Sequence, residues 1–277
     1  MSITSDIGIM QGRLSPRIDG KIQAFPKDNW KNEFKLAKEI GFSSIEWIVE
    51  NPLEENPLLS SDGVDRIKEL IAEFHVKIEF ICADIFMQEP ILKSKSNIEK
   101  SRELINRLIL SADQIGAKCI EIPFVDNSSI RNINHDFLIG FFNSFEQELI
   151  DKNIFINLET DLDPIAFKRL LGEFNLRIGA NYDIGNSASL GYDFKEELNS
   201  YGKRIYNVHI KDRVLGGTTV EFGTGNANIP EVLNYLSKIN YDKGIVIQGA
   251  RGINDIEMAK SQLEFTRKII SDLNNAK

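Results

Sequence analysis

Eight short apolar runs, each followed by a stretch with helical spacing of apolar residues, recur along the 277-residue chain. The intervening stretches place apolar residues three and four positions apart, as at Trp30, Phe34 and Ala37. We predict strands at Ile7–Met10, Ser44–Val49, Lys77–Asp84, Cys119–Phe124, Ile154–Glu159, Ile178–Asp183, Ile205–Lys211 and Gly244–Ala250. Eight strand–helix units predict an α/β protein, a single (β/α)8 TIM barrel spanning residues 1–277.

An open, doubly wound sheet is the alternative, because it has about the same alternation of strands and helices. In that fold the first strand–helix turn often carries a G-x-G-x-x-G run, whereas here the long polar loop GRLSPRIDGKIQAFPKD follows the first strand. The helix ends are also marked. Asp28 is expected to cap the first helix, and Gly41 and Gly116 are expected to end two helices.

Composition restricts the class of partner. The chain is 27% charged with a net charge of −8, which argues against a nucleic-acid surface. No apolar run approaches the roughly 18 residues of a membrane span, and the first residues lack a basic segment typical of a signal peptide. Cys82 and Cys119 lie in strand-like runs and are expected to be reduced core residues of a cytoplasmic protein.

Three consecutive predicted strands end in side chains that bind metals. Glu159, Asp183 and His209 close the runs IFINLE, IGANYD and YNVH, and the amide of Gln248 lies late in the next strand. The carboxyl ends of barrel strands meet at one mouth of the barrel. Carboxylates, an imidazole and an amide oxygen suit a divalent cation. The sequence therefore predicts one divalent metal ion, Mn²⁺, Mg²⁺, Co²⁺ or Zn²⁺, at these four residues.

Side-chain alternation predicts a polar barrel interior. Because successive side chains of a strand point to opposite faces, Trp47 is expected to pack under the helices and its neighbour to point inwards. The same rule predicts an inward polar set of Glu46, Glu121, Glu159, Asp183, His209, Lys211 and Gln248. Burying so many ionisable groups is costly without a partner, and a bound cation would compensate for it. Ion pairs between Lys211 and one of the two earlier glutamates are the structural alternative.

Amide and cationic side chains follow the first, seventh and eighth strands. They are Gln11, Arg13, Arg17, Lys211, Arg213 and Arg251. Arginine suits bidentate phosphate binding, so this clustering in an acidic chain favours an anionic substrate such as a sugar phosphate. Some of them, Arg17 above all, are equally explained as solvated loop residues. The residues expected to bind substrate are Gln11, Arg13, Glu46, Arg213 and Arg251.

The chain resembles the xylose-isomerase-like barrel superfamily, especially its sugar-phosphate isomerase/epimerase branch. The resemblance extends over essentially the whole chain and depends on the order of GIMQGRL, GFSSIEW, NLET, NYDIGN, NVHIKDR and FGTGNANI. It implies a divalent-metal-dependent isomerase or epimerase of a sugar or sugar phosphate. Barrels of this kind often pair, so the resemblance also raises the prospect of a homodimer.

In the 3-epimerases of that superfamily, Glu, Asp, His and Glu from strands five to eight hold the metal. The first three carry over to Glu159, Asp183 and His209, whereas Gln248 stands where the second glutamate is expected. Those enzymes use one carboxylate on each face of an enediolate, and glutamine cannot serve as a base. The resemblance thus assigns Glu159 as one base.

The second base stays open. Glu121 or Glu46 could replace it, with Lys211 as a further catalytic candidate, or a single base could serve an aldose–ketose isomerase. The glutamine at position 248 also leaves two other functions open, a barrel that binds sugar or metal without turnover and an inosose-type dehydratase. The apurinic-site endonucleases of the superfamily use many histidine ligands, whereas this chain has three histidines in all.

Overall fold

The computed structural model describes residues 3–275 and contains the predicted closed barrel of eight parallel strands. The strands are β1 (Gly8–Met10), β2 (Ser44–Ile48), β3 (Phe80–Cys82), β4 (Cys119–Phe124), β5 (Phe155–Thr160), β6 (Ile178–Asp183), β7 (Ile205–Ile210) and β10 (Gly244–Ile247). A separate two-stranded hairpin follows β7 and consists of β8 (Asp212–Arg213) and β9 (Thr219–Val220). The barrel closes because β1 pairs with both β2 and β10.

Helices follow the barrel strands, as the alternation predicts. They are α1 (Trp30–Ile40), α2 (Ser61–Phe74), α3 (Ile85–Gln88), α4 (Lys95–Ile115), α5 (Asp136–Asn143), α6 (Glu146–Asp151), α7 (Pro164–Gly172), α8 (Ile184–Leu190), α9 (Phe194–Tyr201), α10 (Ile229–Lys238) and α11 (Asp255–Asn275). Within residues 3–275 we find no helix that is both long and apolar enough to cross a bilayer.

The predicted helix ends are partly confirmed. Gly41 and Gly116 adopt φ angles of 105° and 77° and end α1 and α4, a conformation that glycine adopts without steric cost. The expected cap at Asp28 is wrong. The helix begins one residue later, after Asn29, and the backbone of the preceding turn bonds to the carbonyl of Pro26 instead.

The apolar core lies between the barrel and its helices. Trp47 is fully buried on the outer face of β2, where its ring contacts Phe25, Trp30 and Phe34 with centroid separations of 5.6, 5.5 and 6.5 Å. Its indole N–H donates to Oδ1 of Asn56 at 3.0 Å. This confirms the predicted alternation in β2 and turns the neighbouring carboxylate, one residue before Trp47, towards the barrel axis. Both cysteines are buried free thiols.

Candidate metal centre and active site

His209 lies at the centre of the barrel mouth and is fully buried. Its Nε2 atom is 2.7 Å from Oε2 of Glu46 and 3.2 Å from Oε2 of Glu121. Its Nδ1 atom is 3.7 Å from Oε2 of Glu159 and 4.0 Å from Oδ2 of Asp183. Each ring nitrogen therefore faces its own pair of carboxylates, and in both groups the ligand atoms lie within 4.8 Å of one another.

Glu46 determines which ring nitrogen of His209 is available. This glutamate is fully buried on β2, and its short contact with Nε2 is the best place for the ring N–H. A histidine that donates one N–H to a carboxylate presents the lone pair of its other nitrogen. Nδ1 thereby becomes the acceptor nitrogen, with Nδ2 of Asn181 at 3.1 Å and the carboxylates of Glu159 and Asp183 beside it. This side of the ring is the better candidate for a metal.

Two asparagines hold the carboxylate of Glu159. Nδ2 of Asn181 donates to Oε2 at 2.8 Å, and Nδ2 of Asn186 donates to Oε1 at 2.5 Å. Asp183 caps α8, since its Oδ1 accepts from the backbone N–H of Asn186 at 2.8 Å. The first turn of α8 therefore positions both candidate ligands.

Lys211 joins two of the predicted metal ligands. Its ammonium donates to Oδ2 of Asp183 and to Oε1 of Gln248, both at 3.0 Å. Close packing with α8 makes this reach feasible, because a Cβ atom at Gly185 would lie 2.7 Å from Cγ of Lys211. The oxygen of the Gln248 amide thus shares a cation with the Asp183 carboxylate.

The raised pKa values of the centre indicate an excess of buried negative charge. Burial, together with the charges of Glu121 and Asp183, raises the pKa of Glu159 to about 8. Burial likewise raises the pKa of Glu121 to about 7. Burial would lower the pKa of His209, but Glu46 and Glu121 outweigh it and hold that pKa well above its usual value. A divalent cation would supply the positive charge that these protons provide.

The residues present fit such a cation. Oε2 of Glu121 is buried and, within residues 3–275, has no hydrogen-bond donor, because the N–H of His209 is directed to Glu46. Two carboxylates and an imidazole are ligands that Mg²⁺, Mn²⁺ and Zn²⁺ accept, and an amide oxygen lies beside Asp183 across Lys211. A buried carboxylate oxygen without a donor is costly unless a cation lies nearby.

A cavity of about 460 Å³ opens above the centre. Its floor includes Glu121, Glu159, Lys211 and Gln248. The cavity is also lined by four further carboxylates, Glu50, Asp84, Asp126 and Asp161. Two further cationic side chains, Lys21 and Arg213, line it as well. This volume lies within the usual range for small-molecule sites, and its many carboxylates can accept hydrogen bonds from hydroxyl groups.

Arg213, expected to bind substrate, lies in the lining of the cavity. It lies on β8, where its Nη1 donates to Oδ1 of Asn186 at 2.7 Å and its Nε donates to the carbonyl of Gly217 at 3.0 Å. Because Asn186 also bonds to Glu159, Arg213 and that glutamate are connected through one amide side chain.

The two other arginines expected to bind substrate lie elsewhere. Arg13 is buried, and its Nε and Nη1 donate to the carbonyls of Gly249 and Ile22 at 3.1 and 2.7 Å. Arg251 donates to Asp255 at 2.7 Å and to the carbonyl of Ser15. Among the described residues that line the cavity, neither arginine is present. Both connect loops, because buried backbone carbonyls need donors.

Gln11 and Glu46 are also placed outside the cavity lining of the described chain. Oε1 of Gln11 accepts from the backbone N–H of Ile48 at 2.9 Å and so joins the ends of β1 and β2. Glu46 lies beneath His209, where it orients the imidazole instead of facing a substrate. The inward direction predicted for Glu46 is confirmed, and its carboxylate contacts the imidazole of His209.

Comparison with known proteins identifies the family to which this barrel belongs. The model of the xylose isomerase-like TIM barrel family matches residues 34–269. This chain belongs to that family. The match covers most of the barrel, including the strands that carry Glu159, Asp183 and His209.

This xylose isomerase-like barrel is similar to a curated relative and to solved structures that contain a bound sugar or metal ion. A curated relative from Escherichia coli (strain K12), "Putative L-ribulose-5-phosphate 3-epimerase SgbU", is 24% identical and covers 82% of this chain and 86% of its own. A D-allulose 3-epimerase from Methylomonas sp. in complex with D-allulose has a TM-score of 0.73 at 14% identity, covering 97% of this chain and 99% of its own. A family member from Mycobacterium smegmatis in complex with magnesium has a TM-score of 0.72 at 16% identity, covering 96% of each chain.

Three site residues of this xylose isomerase-like barrel were not predicted from the sequence, namely Asn181, Asn186 and Gln23. The first two lie inside the NYDIGN motif, two residues before and three residues after Asp183, so the motif itself was the available signal. Asn181 shares the inward face of β6 with Asp183, and alternation alone could have found it. Gln23 lies in the long loop after β1, where no periodic pattern indicates direction.

Proposed function

We propose that this chain is a divalent-metal-dependent isomerase or epimerase that acts on a sugar or sugar phosphate. The observation that carries the proposal is the group formed by Glu159, Asp183 and Nδ1 of His209 beneath the cavity. The relatives support the substrate class, since the Methylomonas enzyme binds D-allulose and the Escherichia coli protein bears the name of a ribulose-phosphate epimerase.

In this proposal Glu159, Asp183 and His209 hold the metal, with the carbonyl oxygen of Gln248 as the fourth ligand. The magnesium in the Mycobacterium smegmatis relative supports a divalent cation in this family. When bound, such a cation supplies Lewis-acid polarisation of a ketone and its neighbouring hydroxyl, which acidifies the C–H bond between them. Glu46 keeps the imidazole in the tautomer that presents Nδ1.

Proton transfer is assigned to the two carboxylates on the cavity floor. Glu159 removes the carbon-bound proton, and the amides of Asn181 and Asn186 hold its carboxylate in place. Glu121 is the second base, because it lines the cavity and takes no hydrogen bond at Oε2. The ammonium of Lys211 lies between Asp183 and Gln248 and acts as a fixed positive charge.

Solvent deuterium exchange tests this proposal. The protein is loaded with Mn²⁺ or Mg²⁺ and incubated with D-allulose or L-ribulose 5-phosphate in D₂O, and deuterium in the sugar is measured by mass spectrometry. We expect incorporation by the wild type, and a loss of about 100- to 10,000-fold in Glu159→Gln, which is the usual contribution of a general base. Glu39→Gln is the matched control, since it makes the same change at an exposed glutamate of α1 outside the cavity lining of the described chain.

Two results would contradict parts of the proposal. Exchange by Glu159→Gln at the wild-type rate would remove this residue as the base. A wild type that binds one divalent metal but exchanges no hydrogen of any sugar tested would favour the barrel that binds without turnover. His209→Ala, analysed for metal content, distinguishes a failed metal site from a failed substrate choice.

A further inference from the structure

A row of four side chains crosses the barrel mouth from a cation to a carboxylate. Lys211 Nζ donates to Oε1 of Gln248 at 3.0 Å, and Nε2 of Gln248 donates to Oε1 of Gln23 at 3.0 Å. Nε2 of Gln23 then donates to Oδ2 of Asp84 at 2.5 Å. The row connects the ends of β7, β10 and β3 with the loop after β1.

The charges at the two ends give this row a single direction. An ammonium can only donate hydrogen bonds, an ionised carboxylate can only accept them, and an amide donates at one end and accepts at the other. If the amide of Gln248 were reversed, its NH₂ would face Lys211 and its oxygen would face the oxygen of Gln23. A reversal of Gln23 would place its oxygen against Asp84. Nη2 of Arg13, 3.5 Å from Oε1 of Gln23, adds a second donor that opposes this reversal.

We propose that Gln23 is a positioning residue that turns the carbonyl oxygen of Gln248 towards the metal site. This inference depends on the metal site proposed above. The oxygen end of Gln248 faces the ammonium that also bonds to Asp183, and the nitrogen end is held by Gln23. Gln23 thus fixes a neutral oxygen ligand, although it has no contact with Glu159, Asp183 or His209 among the bonds of residues 3–275.

The same row gives a physical reason for glutamine at position 248. A glutamate there would place a carboxylate oxygen against Oε1 of Gln23. Relief would require Gln23 to turn over, and its oxygen would then meet the carboxylate of Asp84. The fourth ligand and Asp84 are therefore coupled through Gln23, across the barrel mouth.

Calorimetric titration of the metal-free protein with Mn²⁺ tests this inference. Gln23→Met keeps a similar volume but removes both the donor and the acceptor, and we expect Mn²⁺ affinity to fall about tenfold, as for other residues that orient metal ligands. Gln88→Met is the matched control. Gln88 lies in the same cavity, but its Nε2 donates to Glu50, outside the row, so its affinity should equal that of the wild type.

An exchange variant separates orientation from packing. In Gln23→Glu combined with Asp84→Asn, the new carboxylate still accepts from Nε2 of Gln248, as Oε1 of Gln23 does. The new amide at position 84 donates to that carboxylate, so only the bond between positions 23 and 84 reverses its direction. We expect Mn²⁺ affinity within about twofold of the wild type. The side-chain amide signal of Gln248 in ¹H–¹⁵N spectra of the metal-free proteins should keep its position in the exchange variant and move in Gln23→Met.

Wild-type Mn²⁺ affinity in Gln23→Met would overturn the inference. It would also be overturned if the exchange variant lost as much affinity as Gln23→Met, since packing would then explain both. His209→Ala in the same titration tests the metal site itself. If His209→Ala binds Mn²⁺ as tightly as the wild type, the proposed site and this inference both fail. If only His209→Ala loses affinity, the inference fails alone.

Discussion

Glu33 is a buried carboxylate whose charge should make the stability of the protein depend on pH. It lies in the first turn of α1 and is 1% exposed. Its oxygens accept from the backbone N–H of Gly12 at 3.0 and 3.1 Å and from that of Leu14 at 3.1 Å. Burial raises the pKa of Glu33 from 4.5 to about 7, although these N–H groups favour the charged form and oppose the rise. Glu33 thus holds the loop after β1 at the cost of burying a charge.

The magnitude follows from the difference between the two pKa values. A change from 4.5 to about 7, at about 1.4 kcal/mol for each pH unit, corresponds to about 3 kcal/mol. Because the pKa is higher in the folded state, this contribution is fully present below pH 4.5 and is lost as the pH rises through about 7. Between pH 5 and pH 8 the loss amounts to about 2–3 kcal/mol.

Glu33→Gln removes the ionisation and keeps an oxygen for the loop N–H groups. Urea unfolding of both proteins at several pH values between 5 and 8 measures the effect. The free energy of unfolding of the wild type, minus that of Glu33→Gln, should fall by about 2–3 kcal/mol across this interval. Glu39→Gln, on the same helix with a side chain that is 57% exposed, is the control and should show no comparable trend. A difference between wild type and Glu33→Gln that does not vary with pH would refute the reasoning.

Two further substitutions test the orientation of His209 and the packing of the core. Glu46→Gln removes the carboxylate that accepts from Nε2, and we expect Mn²⁺ affinity to fall about tenfold in calorimetry; unchanged affinity would mean that Glu46 does not set the tautomer. Phe142→Ala removes a fully buried ring that lies edge-on to Phe124, Phe141 and Phe174, and we expect a loss of about 3–5 kcal/mol in urea unfolding. Phe137→Ala, at a ring that is 43% exposed, should lose clearly less; equal losses would show that burial does not decide the cost.

The amino-acid sequence by itself determined the barrel and the direction of its strand side chains. Apolar periodicity is a local property, so strand number and order could be predicted before any contact was known. Alternation then turned Trp47 outwards and its neighbour Glu46 inwards, as the structure confirms. Because parallel barrel strands end at one mouth, Glu159, Asp183 and His209 were expected to lie together, and their ligand atoms are close to one another.

Only the tertiary structure decided what the loop residues and the inward side chains contact. Arg13 and Arg251 were expected in the cavity but bond to loop carbonyls, because a loop sequence does not specify its path over the barrel. Glu46 was correctly turned inwards, but its place beneath His209 depends on the pairing of strands far apart in the chain. The contact of Gln23 with Gln248 joins positions 225 residues apart. Such pairings are long-range and have no period, so they become visible only when the barrel is closed.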